Sequence, residues 1–304
     1  MDILTIIVQQ LLEMFLVVLF GFLLAKRDVL NEYTQQEIAR MLTNFVIPLT
    51  LVLAFQQPFH RDQLVGIALA FLGALFIFAS RVLWAHFGFR GAGKVDRYAT
   101  VFSNSVFVGI PIIFPILGYE GILYLSMYLI VSGTLQYTYG IWSLSNGKEV
   151  ITLQNVFFNP GIIGTAIGLL LYLFQIELPE VVFNSMDTIA GLSSPLGMIL
   201  LGGYLARSQF KEVFLNWRNY WVVSHRLIFT PILGFILLWL LPISDPNILL
   251  TLAIVNCTPT AVNTAVFSQI YGGDYEYGAR IVILSSILSV ITMPVLIGMA
   301  SFIF

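Results

Sequence analysis

The sequence predicts an all-α membrane protein with ten transmembrane helices, arranged as two inverted repeats of five helices. Three observations support this fold class. Of 304 residues, 58% are hydrophobic and only 10% are charged, whereas soluble domains carry about 25% charged residues. The two halves of the chain show weak internal similarity. In addition, two polar stretches broken by glycine and proline interrupt the apolar sequence at matching places in the two halves.

Ten apolar segments are long enough to cross a bilayer, since a transmembrane helix needs about 20 apolar residues. The loops between them are short and leave little room for a soluble domain. The first segment lacks a basic leader and a small-residue cleavage site, so we interpret it as a retained span rather than a signal peptide. In chain order, the predicted spans are 3–25, 36–57, 64–86, 97–117, 121–143, 155–175, 182–205, 219–241, 247–271 and 277–303.

Lysine and arginine lie almost wholly on one side of the predicted membrane. Cytoplasmic loops carry an excess of these residues, so we expect both termini outside and the loop between the fifth and sixth spans in the cytoplasm. The opposite side holds only Arg61, together with acids such as Glu177, Glu180 and Asp245. The expected location is the cytoplasmic (inner) membrane. The cytoplasmic set comprises Lys26, Arg27, Arg90, Lys94, Arg97, Lys148, Arg207, Lys211, Arg218 and Arg280.

Internal similarity divides the chain into a first repeat, residues 1–145, and a second, residues 153–304. A glycine- and leucine-rich segment that begins at Gly21 recurs at Gly168. Each repeat holds five spans. Because five is an odd number, the second copy must be inverted in the membrane. Inverted repeats are typical of secondary transporters.

The two polar interruptions lie in the fourth and ninth predicted spans. Such residues are tolerated at membrane depth only where protein or a water-filled cavity satisfies the freed backbone. A matched pair of interruptions indicates a transporter's binding site. We predict two discontinuous helices that meet near the midplane, whose free N–H groups attract anions. The alternative is that small polar residues only allow close helix packing. The predicted substrate site comprises Ser103, Asn104, Ser105, Gly109 and Pro111, then Thr258, Pro259, Thr260 and Asn263, and also Asn44 in the second span.

A few ionisable residues lie inside the predicted spans, where they are costly and are functional candidates by default. Glu13, near the middle of the first span, and Asp187, in the seventh, are candidates for carrying a coupled proton. Either could instead lie at a wet interface. Arg226 lies in the eighth span. Arg81, near the inner end of the third span, is interpreted as a side chain that snorkels to the interface.

The composition argues against an enzyme, a metal site and a bound cofactor. The single cysteine, Cys257, excludes an internal disulfide and a cysteine-based metal site, and the three histidines lack metal-ligand spacing. The sequence contains no nucleophile–base set and no phosphate-binding loop. The net charge of −2 does not indicate a nucleic-acid partner, and we expect none. The expected partners are the bilayer, a small organic anion and possible coupling protons or sodium ions.

The interrupted stretches resemble the auxin efflux carrier family in its short bacterial form, within the superfamily of bile-acid, arsenite and riboflavin transporters. The segment Asn104 to Pro111, an asparagine followed by Gly-Ile-Pro, is similar to the family's fourth-span pattern. The segment Pro259 to Asn263 is similar to its ninth-span pattern. The likeness covers nearly the whole chain. Ser103 stands where the plant members carry a fourth-span proline.

The resemblance implies a division into a fixed scaffold and a moving transport domain. Residues 1–57 and 155–205 would form a scaffold that dimerises, and residues 64–143 and 219–303 would form the transport domain. The fourth and ninth spans would cross within that domain, in an elevator-type cycle. Bacterial members resemble carriers of small organic acids such as malonate and malate, so the substrate implied is a mono- or dicarboxylate.

Two functions stay open at the level of the sequence. One is a secondary carrier of a small organic anion, because neutral donors and helix ends suit a carboxylate. The other is a sodium-coupled importer of the bile-acid-symporter type, which needs oxygen-rich cages of carbonyls and carboxylates. Neither interrupted stretch contains a carboxylate, which favours the first. The sequence argues against a membrane enzyme, because it shows no catalytic set of residues. It also argues against a membrane sensor, because it shows no soluble output domain.

Overall fold

The computed structural model describes residues 3–58, 61–89, 93–145, 147, 154, 158–207 and 210–303. Within these ranges the chain is helical apart from short loops and one isolated β-bridge. Arg90 and Lys148, which enter the orientation argument, and residue 153, where the second predicted repeat begins, lie outside the described residues.

Six helical stretches in the described part of the chain are long and apolar enough to cross a membrane, and three shorter helices are also apolar. This is the architecture of a multi-pass integral membrane protein. The six are Glu32–Ala54, Gln63–Gly88, Ser105–Ser145, Glu180–Ala206, Trp217–Leu240 and Glu276–Ala300, and the shorter three are Phe15–Lys26, Pro160–Leu173 and Pro246–Cys257.

We number the α-helices in chain order and name the π-helical turns by their residues. The α-helices are α1 Ile3–Lys26, α2 Glu32–Met41, α3 Ile47–Ala54, α4 Arg61–Gly88, α5 Lys94–Val101, α6 Ile110–Leu135, α7 Ile141–Ser145, α8 Pro160–Leu173, α9 Glu180–Ala190, α10 Ser193–Ala206, α11 Phe210–Leu215, α12 Trp217–Ser224, α13 Thr230–Leu240, α14 Pro246–Cys257, α15 Asn263–Ile270 and α16 Tyr275–Ile303. The π-helical turns are Leu42–Val46, Ser105–Gly109, Gln136–Gly140 and His225–Phe229.

Several helices begin at side-chain caps that the sequence already indicates. Asn31, Asn159 and Asp245 precede α2, α8 and α14, and each accepts a backbone N–H from the first helical turn at 2.8–2.9 Å. Pro160 and Pro246 follow two of these caps, at a position where no intrahelical N–H is needed. The cap residues therefore fix where these helices start.

Gly118 separates the predicted fourth and fifth spans. Its backbone has φ 58° and ψ −146°, and this non-helical residue divides α6 at a kink. A residue with a Cβ is strained in this region, whereas glycine is not. The chain therefore turns at Gly118 between the two predicted spans, although both lie within the single apolar helical stretch Ser105–Ser145.

Helices from different halves of the chain pack with their backbones nearly in contact. A Cβ built on Gly202 of α10 would lie 2.0 Å from the carbonyl oxygen of Val18 on α1. A Cβ on Gly164 of α8 would lie 2.7 Å from the carbonyl oxygen of Pro48 on α3. Small residues permit such close approach in membrane helices. The predicted first span therefore packs on the seventh, and the second packs on the sixth.

Candidate functional site

The fourth predicted span is broken between α5 and α6. Helix α5 ends at Val101, and Phe102 has an extended backbone with φ −98° and ψ 134°. Asn104 is also non-helical, with φ −82° and ψ 58°, before the π-helical turn Ser105–Gly109 resumes the helix. The break forms although Ser103, and not proline, occupies its centre. Serine and asparagine favour such breaks because their side chains compete for backbone hydrogen bonds.

The ninth predicted span is broken in the corresponding place, between α14 and α15. Helix α14 ends at Cys257, and Thr258 is extended with φ −62° and ψ 149°. Pro259 explains this conformation, since a proline disfavours the helical region for the residue before it. The Thr258 hydroxyl donates back to the Val255 carbonyl at 2.8 Å, and α15 begins at Asn263.

The two breaks pair with each other through their backbones. The N–H of Asn104 donates to the Pro259 carbonyl at 2.7 Å, and the N–H of Ala261 donates to the Phe102 carbonyl at 3.0 Å. These two bonds form an isolated antiparallel bridge, which we call the crossing, centred on Ser103 and Thr260. Each break therefore satisfies backbone groups that the other frees, as membrane depth requires.

Hydroxyl groups from the predicted site line the crossing. Ser103 and Ser105 are buried, and their hydroxyls are hydrogen-bonded to each other at 2.9 Å. The Ser103 hydroxyl also contacts the Tyr128 hydroxyl at 2.7 Å. The Thr260 hydroxyl donates to the Ala99 carbonyl at 3.2 Å. These side chains hold the crossing together.

Asn104 has a free donor at the crossing, and Asn263 does not share this property. The Asn104 side chain is 4% exposed, and its Nδ2 has no hydrogen-bond partner among the described residues. By contrast, Asn263 is half-buried and its Nδ2 donates to Gln136 Oε1 at 2.8 Å. An unpaired buried donor is costly, so the Asn104 nitrogen is chemically able to donate to an incoming acceptor.

Gly109 and Pro111 shape the helix that follows the first break. A Cβ on Gly109 would lie 3.4 Å from Val255 Cγ1, which is van der Waals contact, so this turn packs directly against α14. Pro111 lies just after the π-helical turn and cannot donate an N–H back to it, so one bond between this turn and α6 is missing. Both therefore position the crossing.

Arg81 is completely buried beside the crossing. Its Nη2 donates to Asn256 Oδ1 at 2.7 Å and to the Asn256 carbonyl at 3.2 Å. Its Nη1 donates to the Val101 carbonyl at 3.3 Å and to the Tyr128 hydroxyl at 2.5 Å. The interpretation of Arg81 as a snorkelling side chain is wrong, because helices close around the guanidinium instead of leaving it a path to the interface.

Arg226 is also completely buried and caps the end of α14. Its Nη2 donates to the Thr258 carbonyl at 2.7 Å and to the Asn256 carbonyl at 3.1 Å. Its Nε also donates to the Thr258 carbonyl, at 3.1 Å, and its Nη1 to the Thr230 hydroxyl at 3.4 Å. The sequence indicated Arg226 only as an ionisable residue within a span.

Together the two arginines make the crossing electropositive. The C-terminal ends of α5 and α14 carry partial negative charge. The two guanidiniums donate hydrogen bonds to carbonyl oxygens at these ends. Among the described residues, neither guanidinium has a carboxylate within 4.0 Å. Elsewhere, the buried carboxylate of Asp96 is paired with Arg218 at 2.6 Å. The crossing therefore carries two positive charges without such a partner.

Three predicted residues lie on other elements and have exposed side chains. Glu13, on α1, accepts a hydrogen bond from Gln9 Nε2 at 3.0 Å. Asp187, on α9, accepts one from the Tyr119 hydroxyl. Asn44 lies on the π-helical turn Leu42–Val46. The structure does not place these side chains in the backbone bridge, and their roles in coupling and substrate binding stay predictions.

Two comparisons with known proteins bear on this architecture. A family model described as "Membrane transport protein" matches residues 6–155 and again residues 148–297. A protein of Rhizobium meliloti (strain 1021) named "Putative malonate transporter" is 26% identical over 140 residues. That match covers 46% of this chain and 43% of the relative, so it spans less than half of the relative's length. The repeated family match indicates an internal repeat.

Proposed function

The chain belongs to the membrane transport protein family, the auxin efflux carriers, and from this we propose that it is a secondary carrier of a small organic anion such as a mono- or dicarboxylate. One observation carries the proposal: the Asn104 amide nitrogen, which is buried and has no hydrogen-bond partner among the described residues, lies at an electropositive crossing of two broken helices. The relative's name, which refers to malonate, supports a carboxylate as the substrate.

An anion at the crossing would find donors that the protein leaves unused. A carboxylate that leaves water needs replacement hydrogen bonds, and Asn104 Nδ2 offers one. The first N–H groups of the π-helical turn Ser105–Gly109 follow the first break. At the second break, the N–H groups of Thr264 and Ala265 already donate to the carbonyls of Ala261 and Val262, which leaves that of Asn263 as the candidate donor of α15. Helix N-termini lack intrahelical partners for these groups and attract negative charge. The donors are neutral, and the positive charge comes from the arginines behind them.

The same geometry disfavours a sodium-coupled importer that holds its ion at the crossing. A sodium site there would use unwound carbonyls at the helix C-terminal ends. The carbonyls of Val101, Asn256 and Thr258 instead accept hydrogen bonds from Arg81 or Arg226. A cation would have to bind beside two like charges in a low-dielectric interior, where repulsion is strong.

We extend the proposal to ten spans in two inverted repeats, working by an elevator-type movement. Two findings support the repeat: the family model matches twice in succession, and the first span packs on the seventh as the second packs on the sixth. In two repeats of five spans, the first and second spans correspond to the sixth and seventh. The pairing of the first with the seventh is therefore equivalent to the pairing of the sixth with the second. In this arrangement residues 1–57 and 155–205 form the dimerising scaffold, and residues 64–143 and 219–303 carry the crossing.

The topology makes a direct prediction for two exposed loops. Single cysteines at Asp28 and Glu177, in a Cys257→Ser background, should lie on opposite sides of the membrane. Both native side chains are exposed in loops next to helix ends. An impermeant maleimide added to intact cells should label the position-177 cysteine, and it should label the position-28 cysteine only after permeabilisation. Labelling of both in intact cells would contradict the inverted topology.

Transport in proteoliposomes tests the function itself. Purified protein should take up radiolabelled mono- or dicarboxylates faster than protein-free liposomes, and unlabelled carboxylate should compete. Amino acids and sugars of similar size serve as controls and should not be carried. Uptake of no carboxylate under any imposed gradient would exclude the proposed function.

Imposed gradients in the same assay identify the coupling ion. If a proton gradient drives uptake, Asp187→Asn or Glu13→Gln should remove that response and leave substrate exchange intact. Asp187 is the better placed of the two because the Tyr119 hydroxyl links α9 to α6, across the proposed boundary between scaffold and transport domain. Full proton-driven uptake in both variants would exclude these carboxylates as the coupling groups.

A further inference from the structure

Two like charges are held side by side at the crossing. Arg81 Nη2 and Arg226 Nη2 donate to the same backbone oxygen, the carbonyl of Asn256, at 3.2 and 3.1 Å. Both side chains are 0% exposed. Buried charges are normally paired with an opposite charge, and like charges in a low-dielectric interior repel strongly. The repulsion between the two guanidinium charges must therefore be offset by other groups around them.

Asn256 accepts hydrogen bonds from both guanidiniums and fixes their positions. Its carbonyl accepts from both arginines, its Oδ1 accepts from Arg81 at 2.7 Å, and its Nδ2 donates to the Pro231 carbonyl at 2.9 Å. The side chain is completely buried. Carbonyl oxygens and the negative ends of α5 and α14 solvate the guanidiniums but supply no full negative charge. Among the described residues, neither guanidinium is paired with a carboxylate.

Each arginine is linked through intermediate groups to the backbone around Asn104. Arg81 donates to the Tyr128 hydroxyl, which contacts the hydroxyl of Ser103, the residue before Asn104. Arg226 donates to the carbonyl of Thr258, the residue before Pro259, whose own carbonyl accepts the Asn104 N–H. Neither guanidinium reaches Asn104 by a direct hydrogen bond in the described structure. They act on a ligand there as positioning residues, through charge.

We propose that Arg81 and Arg226 form a charge-setting pair that makes the crossing select a dianion over a monoanion of the same shape. This inference rests on the proposed function, since it assigns a charge to the anion carried at the same site. A dianion balances both guanidiniums, whereas a monoanion leaves one charge uncompensated.

Wild-type protein tests the charge preference without any mutation. Malonate and its half-amide, malonamate, have nearly the same shape but differ by one charge when malonate is fully ionised. Calorimetry on purified protein should show malonate binding at least about tenfold more tightly, a difference of about 1.4 kcal/mol. Equal affinities would overturn the charge-setting pair and leave the anion carrier standing. Failure to bind or transport any carboxylate would overturn both.

Variants test whether the two arginines are the source of that preference. Arg81→Gln and Arg226→Gln should each lower the ratio of malonate to malonamate affinity about tenfold, while Arg81→Lys and Arg226→Lys should preserve most of it. A purely structural role would weaken both ligands equally. Arg40→Gln, on the exposed face of α2, is the matched control and should leave the ratio unchanged.

An unchanged ratio in both glutamine variants would overturn the assignment. Should either glutamine variant fail to fold, the lysine variants and the wild-type comparison still decide the proposal. A lysine variant that folds but loses the preference also counts against a role in charge.

Discussion

Replacing Asn104 with alanine should raise the dissociation constant of the carried anion by about 10- to 150-fold. A hydrogen bond to a charged group is worth roughly 1.5–3 kcal/mol, and 1.4 kcal/mol is about tenfold in affinity. The Asn104 Nδ2 makes no hydrogen bond among the described residues. Its removal therefore breaks no hydrogen bond made by that nitrogen, and we expect little change in yield and melting temperature in detergent. Calorimetry on monodisperse protein measures the affinity.

Asn184→Ala provides the matched control for this substitution. Asn184 is exposed on α9, so the change removes the same amide away from the crossing and should leave binding intact. Wild-type affinity in Asn104→Ala would move the binding site away from the crossing. Loss of folded protein in Asn104→Ala would show that the amide has a structural partner.

Replacing Gly202 with alanine should strongly destabilise the contact between α1 and α10. The added Cβ would lie 2.0 Å from the Val18 carbonyl oxygen and 2.6 Å from the Phe22 nitrogen. Both are backbone atoms, which cannot rotate away as a flexible side chain can. Overpacking costs about 1–3 kcal/mol and sometimes more, and we expect a value at or above the upper end. Thermal unfolding in detergent and the yield of folded protein measure the effect.

Gly133→Ala is the control with the opposite expectation. The nearest heavy atom to its Cβ, Asn159 Nδ2, lies at 3.7 Å, which is ordinary van der Waals contact. Gly133 lies inside α6, where alanine is favoured over glycine by about 1 kcal/mol. This variant should be as stable as the wild type or more so. Equal stability of the two variants would show that α1 and α10 separate at little cost.

The sequence predicts the breaks at the crossing well because their cause is local. Pro259 constrains Thr258 through a steric effect between neighbouring residues. The polar side chains around Asn104 also act locally, because they compete with the helix for backbone hydrogen bonds. The family membership was likewise indicated by short motifs in these two segments. Such features need no knowledge of distant parts of the chain.

The roles of the arginines depend on tertiary structure and could not be read from the spans alone. Arg81 lies near a predicted span end, where snorkelling is the usual outcome, and only the packing of α4 against α6 and α14 encloses it. Its counterpart in the second repeat was a usable signal: Arg226 lies in the corresponding eighth span. Likewise, Gln136 engages Asn263 from another span, which spacing along the sequence does not reveal.

The pairing of Ser103 with Thr260 has a consequence for biosynthesis. The first repeat leaves the ribosome before Pro259 and Ala261 exist, so the Asn104 N–H and the Phe102 carbonyl then lack their partners. Unsatisfied backbone groups in hydrocarbon cost several kcal/mol each. We therefore expect that, in a nascent chain that holds only its first half, the fourth predicted span is not placed stably in lipid. We expect membrane integration of that span to be completed only when the second half of the chain has been translated.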